Sequence, residues 1–268
     1  MQEKNKNNEL QQILRIDGHI QDIYLAVYAN KLLLLDGCCR PDVELVLATI
    51  RNILGREISQ LKAVIVTHMH ADHAGGAAYL KKHTGCKIIS SNKPTQWYGG
   101  LNGRVEYLLD LSLSYFVAYR RGRKFKNLNY PAELKADILV NDGDAVPMFE
   151  DWQIIETPGH TDRDLSVYHA KTGKVYVADL MIKLENRRRG IRFVAPYNID
   201  DPVAYKKSVA KIKQYHPYKV MMAHGGQTFV EQATFDDLIK MTPNKPRTNK
   251  DVYQDVVFRM MTTRKPKK

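Results

Sequence analysis

The chain has 268 residues, of which 44% are hydrophobic and 26% are charged, as in an ordinary globular protein. Lysine and arginine number 41 against 29 acidic residues, which gives a net charge of +12. These values exclude a disordered, collagenous or disulfide-scaffold chain. The charge excess favours anionic partners, or else it reflects a lysine-rich proteome.

Three cysteines without a CxxC motif indicate reduced thiols in a reducing compartment. The N-terminal segment is polar and lacks the apolar region of a signal peptide. The most apolar stretch, from Val105 to Tyr119, is too short to span a membrane. We therefore expect a cytoplasmic protein without a membrane span.

The first hundred residues alternate strands and helices, which is the mark of an α/β architecture. The hairpin and strands follow from short apolar runs, and the first helix follows from an apolar stripe that begins after Pro41 and stops at Gly55. In chain order the predicted elements are a hairpin over 20–35, a helix over 43–54, a strand over 63–67, a helix over 77–83 and a strand over 87–90.

Residues 93–136 interrupt this alternation and predict a helical insertion packed over the main body. The insertion contains the apolar stretch 105–119 and a basic run over 120–126. Its aromatic residues either line an apolar pocket over a site or form the core of the insertion. They are Trp97, Tyr98, Tyr107, Tyr115 and Phe116.

Short strands recur after the insertion, at 138–140, 152–156, 165–169, 174–178 and 219–223. Asp201-Pro202 predicts a helix start, with an N-cap and proline in the first turn. A last helix is predicted over 230–241. We expect a single domain over 13–242 that contains the insertion, followed by a basic C-terminal tail over 243–268.

Four metal-ligand side chains fall within six residues, between a predicted strand and a predicted helix: His68, His70, Asp72 and His73. Imidazoles and carboxylates suit zinc and similar divalent ions. Four ligands in six residues do not all serve one tetrahedral ion with an open position, so the pattern favours two ions completed by distant residues. Three candidates lie at predicted strand ends, where α/β folds build their sites: His160, Asp179 and His224.

The sequence resembles the metallo-β-lactamase superfamily from about Ile20 to about Gly226. The resemblance rests on THMHADHAGG at 67–76, TPGHT at 157–161, VAD at 177–179 and MAHGG at 222–226, in that order, with Asp36 at the position of a frequent family acid. It implies a four-layer αββα sandwich, an α/β layered fold, with metals at one edge of the two sheets.

The resemblance also implies roles for the candidate residues. His68, His70 and His160 would bind one ion, Asp72, His73 and His224 a second, and Asp179 would bridge them. A hydroxide shared by the two ions would be the nucleophile. Asp72 is also placed to steer the proton as a catalytic residue, and Asp36 either supports a ligand imidazole or is an ordinary turn aspartate. Zinc is the expected metal, with manganese and iron compatible with the same ligands.

Several departures from family branches leave the substrate open. Asp179 is followed by Leu-Met-Ile-Lys, where the glyoxalase II branch typically has Gly-Cys-Gly-Arg. Ile182 stands where acyl-homoserine lactonases often have tyrosine. Asp162-Arg163-Asp164 replaces the Pro-Gly that relatives more often carry, which adds a charged pair near the metals.

We therefore expect cleavage of an ester, lactone or thioester of a small anionic molecule. Arginine forks bind anionic groups bidentately, so a substrate clamp is expected at Arg187, Arg188 and Arg189, while Tyr197 is a candidate oxyanion donor. Three alternatives stay open: a phosphodiesterase acting on nucleic acid or another phosphodiester, a mononuclear iron oxygenase, and a non-catalytic metal-binding protein.

Overall fold

Two six-stranded sheets pack face to face in the computed structural model, which describes residues 9–93, 98–186, 188 and 190–255. The first sheet consists of β1 (Gln12–Asp17), β2 (Asp22–Val27), β3 (Leu32–Leu34), β4 (Leu61–Val66), β5 (Lys87–Ser91) and β6 (Ile138–Val140). These strands are neighbours in that order. The first three pair antiparallel, and β3 to β6 pair in parallel.

The second sheet contains six later strands, β7 (Ala145–Val146), β8 (Phe149–Glu156), β9 (Leu165–His169), β10 (Lys174–Tyr176), β13 (Lys219–Met222) and β14 (Gly226–Thr228). Their spatial order is β14-β13-β10-β9-β8-β7, and only the β10–β13 pair is parallel. A separate antiparallel hairpin is formed by β11 (Ile182–Asn186) and β12 (Gly190–Val194).

Helices cover the outer face of each sheet. They are α1 (Val43–Ala48), α2 (Ala71–Ala74), α3 (Ala77–Thr84), α4 (Gly100–Arg120), α5 (Pro202–Gln214) and α6 (Gln232–Met241). Helix α1 continues into a π-helical turn over Thr49–Ile53, and three short 3₁₀ turns occupy Arg40–Asp42, Ile58–Gln60 and Ala170–Thr172.

Strands that are buried on both faces explain the layering. Successive side chains of a strand point to opposite faces. In β4, Ala63 and Ile65 join the core between the two sheets, whereas Val64 and Val66 join the core under α1 and α3. The second sheet likewise packs its outer face against α5 and α6. The four-layer sandwich predicted from the sequence is therefore confirmed.

The predicted elements are found close to their expected positions, while strand β1, the short strands β7 and β14 and the β11–β12 hairpin lie beyond the prediction. Strand β1 and the β11–β12 hairpin had no clear signal, because their side chains are largely exposed and carry charges. The insertion is dominated by α4, whose Leu111 and Ala118 pack against Ile20 and Leu128. Within it, Tyr98 and Tyr107 form an aromatic cluster with Tyr130.

The segment after residue 243 packs against the domain as far as it is described. Ile199 pairs with Arg247 in an isolated bridge, and both Asn249 and Val252 are buried. The three cysteines are buried and unpaired. Within the described part of the chain, every helix is too short or too polar to cross a bilayer.

Candidate metal centre

The seven predicted ligands converge at one edge of the sandwich. His68 and His70 directly follow β4, and Asp72 and His73 lie in the single turn of α2. The other three follow β8, β10 and β13 at or near the strand ends, and they are His160, Asp179 and His224. The carboxyl ends of β4 and of the parallel pair β10–β13 thus supply most of the site, as expected for an α/β edge.

The first group of donors surrounds the ring of His70. His70 Nδ1 lies 3.0 Å from His68 Nε2 and 3.1 Å from His160 Nε2. His160 Nε2 lies 3.5 Å from Asp179 Oδ2. Donors held 2.0–2.1 Å from a tetrahedral zinc ion are separated by about 3.3 Å, so these spacings match the edges of one coordination tetrahedron.

The second group shares Asp179 with the first. Asp179 Oδ1 lies 3.3 Å from His224 Nε2 and 3.4 Å from His73 Nε2. Asp72 Oδ2 lies 3.4 Å from His224 Nε2 and 3.6 Å from His73 Nε2. The two oxygens of Asp179 therefore face different donor groups, which is the geometry that a bridging carboxylate requires.

Hydrogen bonds on the far side of the rings assign the tautomers of two histidines. His160 Nδ1 lies 2.9 Å from the carbonyl oxygen of Asn198, which can only accept, so the imidazole proton is on Nδ1. Thr67 Oγ1 donates to Asp36 at 2.9 Å and therefore accepts from His68 Nδ1 at 3.1 Å. In the neutral rings, both Nε2 atoms consequently direct a lone pair at His70.

This convergence of lone pairs fits a cation. A proton on His70 Nδ1 could satisfy only one of the two Nε2 atoms that face it. Two buried polar atoms that face the second group have no hydrogen-bond partner, His73 Nε2 and Asp179 Oδ1. Buried polar groups are ordinarily paired, and a divalent ion in each group is the partner that this donor set suits.

The pKa shifts of the histidines have opposite directions in the two groups. Burial lowers the pKa of His68 and His160, and it lowers that of His70 to about 4, so these rings are neutral and able to coordinate. Burial also acts to lower the pKa of His224, but the carboxylates of Asp179 and Asp72 outweigh it and raise that pKa to about 10. Without a cation, a proton thus takes the position between these carboxylates.

Asp36 accepts several hydrogen bonds behind the second group of donors. Its Oδ1 accepts from the backbone N–H groups of Gly37 at 2.9 Å and Thr67 at 3.1 Å. Its Oδ2 accepts from the hydroxyl of Tyr176 at 2.9 Å and lies 2.5 Å from His73 Nδ1. The carboxylate accepts the proton on His73 Nδ1, which leaves His73 Nε2 free to face Asp179 and Asp72.

Close backbone approaches hold the ligand loops in place. Gly225, next to His224, has φ +103°, and a Cβ there would lie 2.2 Å from the carbonyl oxygen of Lys183. Gly159, next to His160, has φ +138°, and a Cβ would lie 2.4 Å from the backbone of Tyr205. Only glycine fits at both positions, because both the φ angle and the space exclude a side chain.

Asp110 is a residue of this site that sequence reasoning missed. It lies on α4, and its Oδ1 is 3.7 Å from His70 Nε2. Tyr98 donates to it at 2.5 Å, and Asn249 also donates to it. Burial is the main reason why its pKa rises to about 8, with Glu106 adding to the effect. The position of Asp110 in the sequence did not indicate a place in the site, because its approach to His70 depends on how α4 packs.

The remaining candidates lie outside the donor groups. Tyr197 is exposed in the loop after β12, and Arg188 is exposed in the turn of the β11–β12 hairpin. Arg187 and Arg189 lie outside the described residues, as does Trp97. Asp164 is buried beside the first group, with Oδ1 3.9 Å from His68 Nδ1, and burial raises its pKa to about 7.

A family model described as "Metallo-beta-lactamase superfamily" matches residues 16–224, which include all seven converging side chains. The chain belongs to this superfamily. Its members bind divalent metals, and the two donor groups are the candidate site here.

Curated relatives and solved structures agree with the family. "Probable metallo-hydrolase YflN" of Bacillus subtilis is 27% identical over 175 residues, which cover 62% of this chain and 65% of that protein. "Probable metallo-hydrolase YqjP" of the same species is 23% identical, over 75% of this chain and 69% of its own length. The chain thus spans slightly less than two thirds of the first relative.

Two further matches bear on substrate and fold. "Hydroxyacylglutathione hydrolase" of Chelativorans is 27% identical over 45% of this chain and 34% of that protein. The superfamily protein ST1585 of Sulfolobus tokodaii has a similar fold, with a TM-score of 0.62 and 18% identity over 95% of this chain and 96% of that one. At this identity the structural match supports the fold alone.

Proposed function

We propose that this chain is a dinuclear metal-dependent hydrolase. The observation that carries the proposal is the division of the donors into two groups that share Asp179. Ring lone pairs are directed at one another in the first group, and ring nitrogens face carboxylate oxygens in the second. A single ion would leave the other group with buried polar atoms unpaired. The proposed ligands are His68, His70 and His160 for one ion, Asp72, His73 and His224 for the other, and Asp179 for both.

Two divalent ions supply the chemistry that hydrolysis needs, because they lower the pKa of water and polarise a carbonyl oxygen. We expect zinc, and manganese or iron would suit the same ligands. The chain positions these groups through Asp36 and Asn198, which hold His73 and His160 by their outer nitrogens. Asp72 is the proposed proton carrier, since its carboxylate lies against His224 beside the shared Asp179.

The proposed substrate is an ester, lactone or thioester of a small molecule. The hydroxyacylglutathione hydrolase relatives favour a thioester. The chain nevertheless has Leu-Met-Ile-Lys after Asp179, so it departs from the glyoxalase II pattern close to the site. A thioester with a different acyl or thiol portion is therefore our preferred substrate within this class.

The β11–β12 hairpin is the proposed anion clamp. Lys183 in β11 donates its backbone N–H to the carbonyl oxygen of His224 at 3.0 Å, so the hairpin starts at the metal centre. In the sequence, the arginine run 187–189 lies between the two strands of this hairpin. An arginine guanidinium binds a carboxylate or phosphate bidentately, so a substrate with an anionic portion suits this position. Tyr197, after β12, is the proposed oxyanion donor.

The test of the reaction class is turnover of three probes, a thioester, a lactone and a phosphodiester, by protein purified without chelator. We expect the thioester or the lactone to be hydrolysed, and a chelator to stop the reaction until a divalent metal is returned. Preferred cleavage of the phosphodiester would replace this proposal with the phosphodiesterase alternative. Absence of turnover of all three probes would favour the oxygenase or the non-catalytic alternative.

The clamp has its own test. Replacing the arginines at 187–189 by alanine should raise KM for anionic esters and leave KM for neutral esters unchanged. The matched control is Arg51→Ala, which removes an exposed arginine whose guanidinium pairs with Glu44 on α1, away from the donor groups. Equal effects on neutral and anionic esters would remove the clamp from the account.

A further inference from the structure

Helix α4 carries a row of apolar side chains on its outward face. Leu101, Val105, Leu108 and Tyr119 are 81%, 57%, 60% and 73% exposed. With 3.6 residues per turn, these four positions lie within a sector of roughly 60° on the helix surface. Leu109, Leu113 and Phe116 widen the apolar surface on one side and are half-buried. Exposed apolar patches of this kind mark interaction sites on soluble domains.

The acids of α4 are turned away from this surface. Glu106 and Asp110 are the two acidic residues of the helix, and both accept hydrogen bonds from Asn249 on the inner side. Ser112 interrupts the apolar row, and Asn102, Arg104 and Arg120 are exposed polar residues beside it. The outward face of α4 is therefore apolar and, where charged, positive.

A basic segment continues from the end of α4. Arg121 and Arg123 pair with Asp17 at 3.1 and 2.6 Å, and these contacts hold the segment against the domain. Lys124 and Lys126 are exposed and form no ion pair with a described residue. Phe125 between them is 83% exposed, and its ring stacks on Tyr115 of α4. Exposed aromatic and basic side chains thus adjoin the apolar row.

We propose that α4 and the basic segment 121–126 bind the surface of an anionic lipid bilayer. A helix that lies in the membrane interface combines an apolar face with flanking lysine or arginine and aromatic side chains. Basic residues close to an anionic leaflet are attracted to its headgroups. The protein would lie on the bilayer without crossing it.

Charge favours a lipid surface over a second copy of the chain. A two-fold interface places the same patch on both subunits, so the patch must be complementary to itself. Apart from Asp17, which already pairs with Arg121 and Arg123, α4 and the basic segment offer arginine and lysine without an exposed acid. Two copies would oppose like charges, which is unfavourable, whereas phosphatidylserine headgroups supply the missing negative charge.

The test is co-sedimentation of the full chain with vesicles of phosphatidylcholine alone or with roughly one third phosphatidylserine. We expect binding to the phosphatidylserine vesicles, weakening as salt is raised. The variant V105D/L108D should lower the partition coefficient roughly tenfold or more, because it places two charges on the apolar row. The variant K124E/K126E should lower binding to phosphatidylserine vesicles as well.

Matched controls separate these effects from a change in net charge. I53D/L45D adds the same two charges to exposed apolar positions on the α1 side, and K62E/K82E reverses two exposed lysines elsewhere. Both controls should bind like the unmodified chain. Absence of vesicle binding by that chain, or equal binding by V105D/L108D, would overturn the proposal. A dimer in sedimentation equilibrium that V105D/L108D dissociates would replace the bilayer with a second copy.

Discussion

Replacing Asp36 by asparagine should weaken the second donor group without removing any ligand. Oδ1 of Asp36 accepts two backbone N–H groups, so the amide oxygen of asparagine should take that position. The amide nitrogen would then face His73 Nδ1, which lies 2.5 Å from Oδ2 in the unmodified chain. Because an amide N–H can only donate, His73 must move its proton from Nδ1 to Nε2. His73 Nε2, which faces Asp179 and Asp72, would then carry the proton and have no lone pair for a metal ion.

The expected loss follows from this change of tautomer. Losing the partner that orients a ligand histidine typically lowers metal affinity about 10–100-fold, equivalent to about 1.4–2.7 kcal/mol. Titration of apoprotein with zinc against a competing chelator should therefore show weakened zinc binding in D36N. The loss should fall chiefly on the second group, although Thr67, which donates to Asp36 Oδ2, also contacts His68 of the first group. The matched control is D42N, which changes a buried aspartate that accepts from the backbone of His19 and lies outside both donor groups. If D36N binds zinc as tightly as the unmodified chain does, the tautomer argument is refuted.

Three further predictions test the site and its surroundings. H68A and D179A should each lower kcat/KM by at least about a thousandfold, since H68A removes a proposed ligand and D179A removes the shared carboxylate. The circular dichroism spectrum of each variant should stay native. Near-normal turnover in either variant would contradict the mechanism. D110N should weaken metal binding about tenfold or more, because it changes the residue beside His70. E106Q, which alters the contact of Glu106 with Asn249 away from His70, should leave metal affinity unchanged. Equal metal affinities in D110N and the unmodified chain would rule out a role for Asp110 in positioning His70. Burial raises the pKa of Asp42 from 3.8 to about 6, so the unfolded chain loses this proton first. The free energy of unfolding should fall by about 2 kcal/mol as pH rises from about 4 to 6. Denaturant unfolding of D42N should lack that fall, and an unchanged pH slope would contradict the prediction.

The candidate site was largely predictable because its first four ligands are local in the sequence. His68 and His70 follow strand β4, and Asp72 and His73 lie in the short helix α2 that comes next, so six consecutive residues supply four of the seven candidate ligands. The distant ligands were found because strand ends converge at one edge of an α/β sheet. The fold was predictable for a related reason, since strands buried on both faces are continuous apolar runs.

Features that depend on tertiary packing could not be predicted in this way. Asp110 reaches His70 only because α4 lies across the edge of the sandwich, and Asn249 reaches Asp110 from the segment after residue 243. Strands β11 and β12 carry exposed and charged side chains, so they lack the alternation that marks a half-buried strand. The outward face of α4 follows the same 3.6-residue period as a core face, and only the structure shows that no described residue covers it.

The most direct test of the account is the metal content per chain of protein purified without chelator, measured alongside D179A. Two divalent ions per unmodified chain, with the D179A variant retaining fewer, are the result that a pair of donor groups sharing one carboxylate predicts. A single iron per chain, unchanged in D179A, would contradict the dinuclear centre and favour the mononuclear oxygenase.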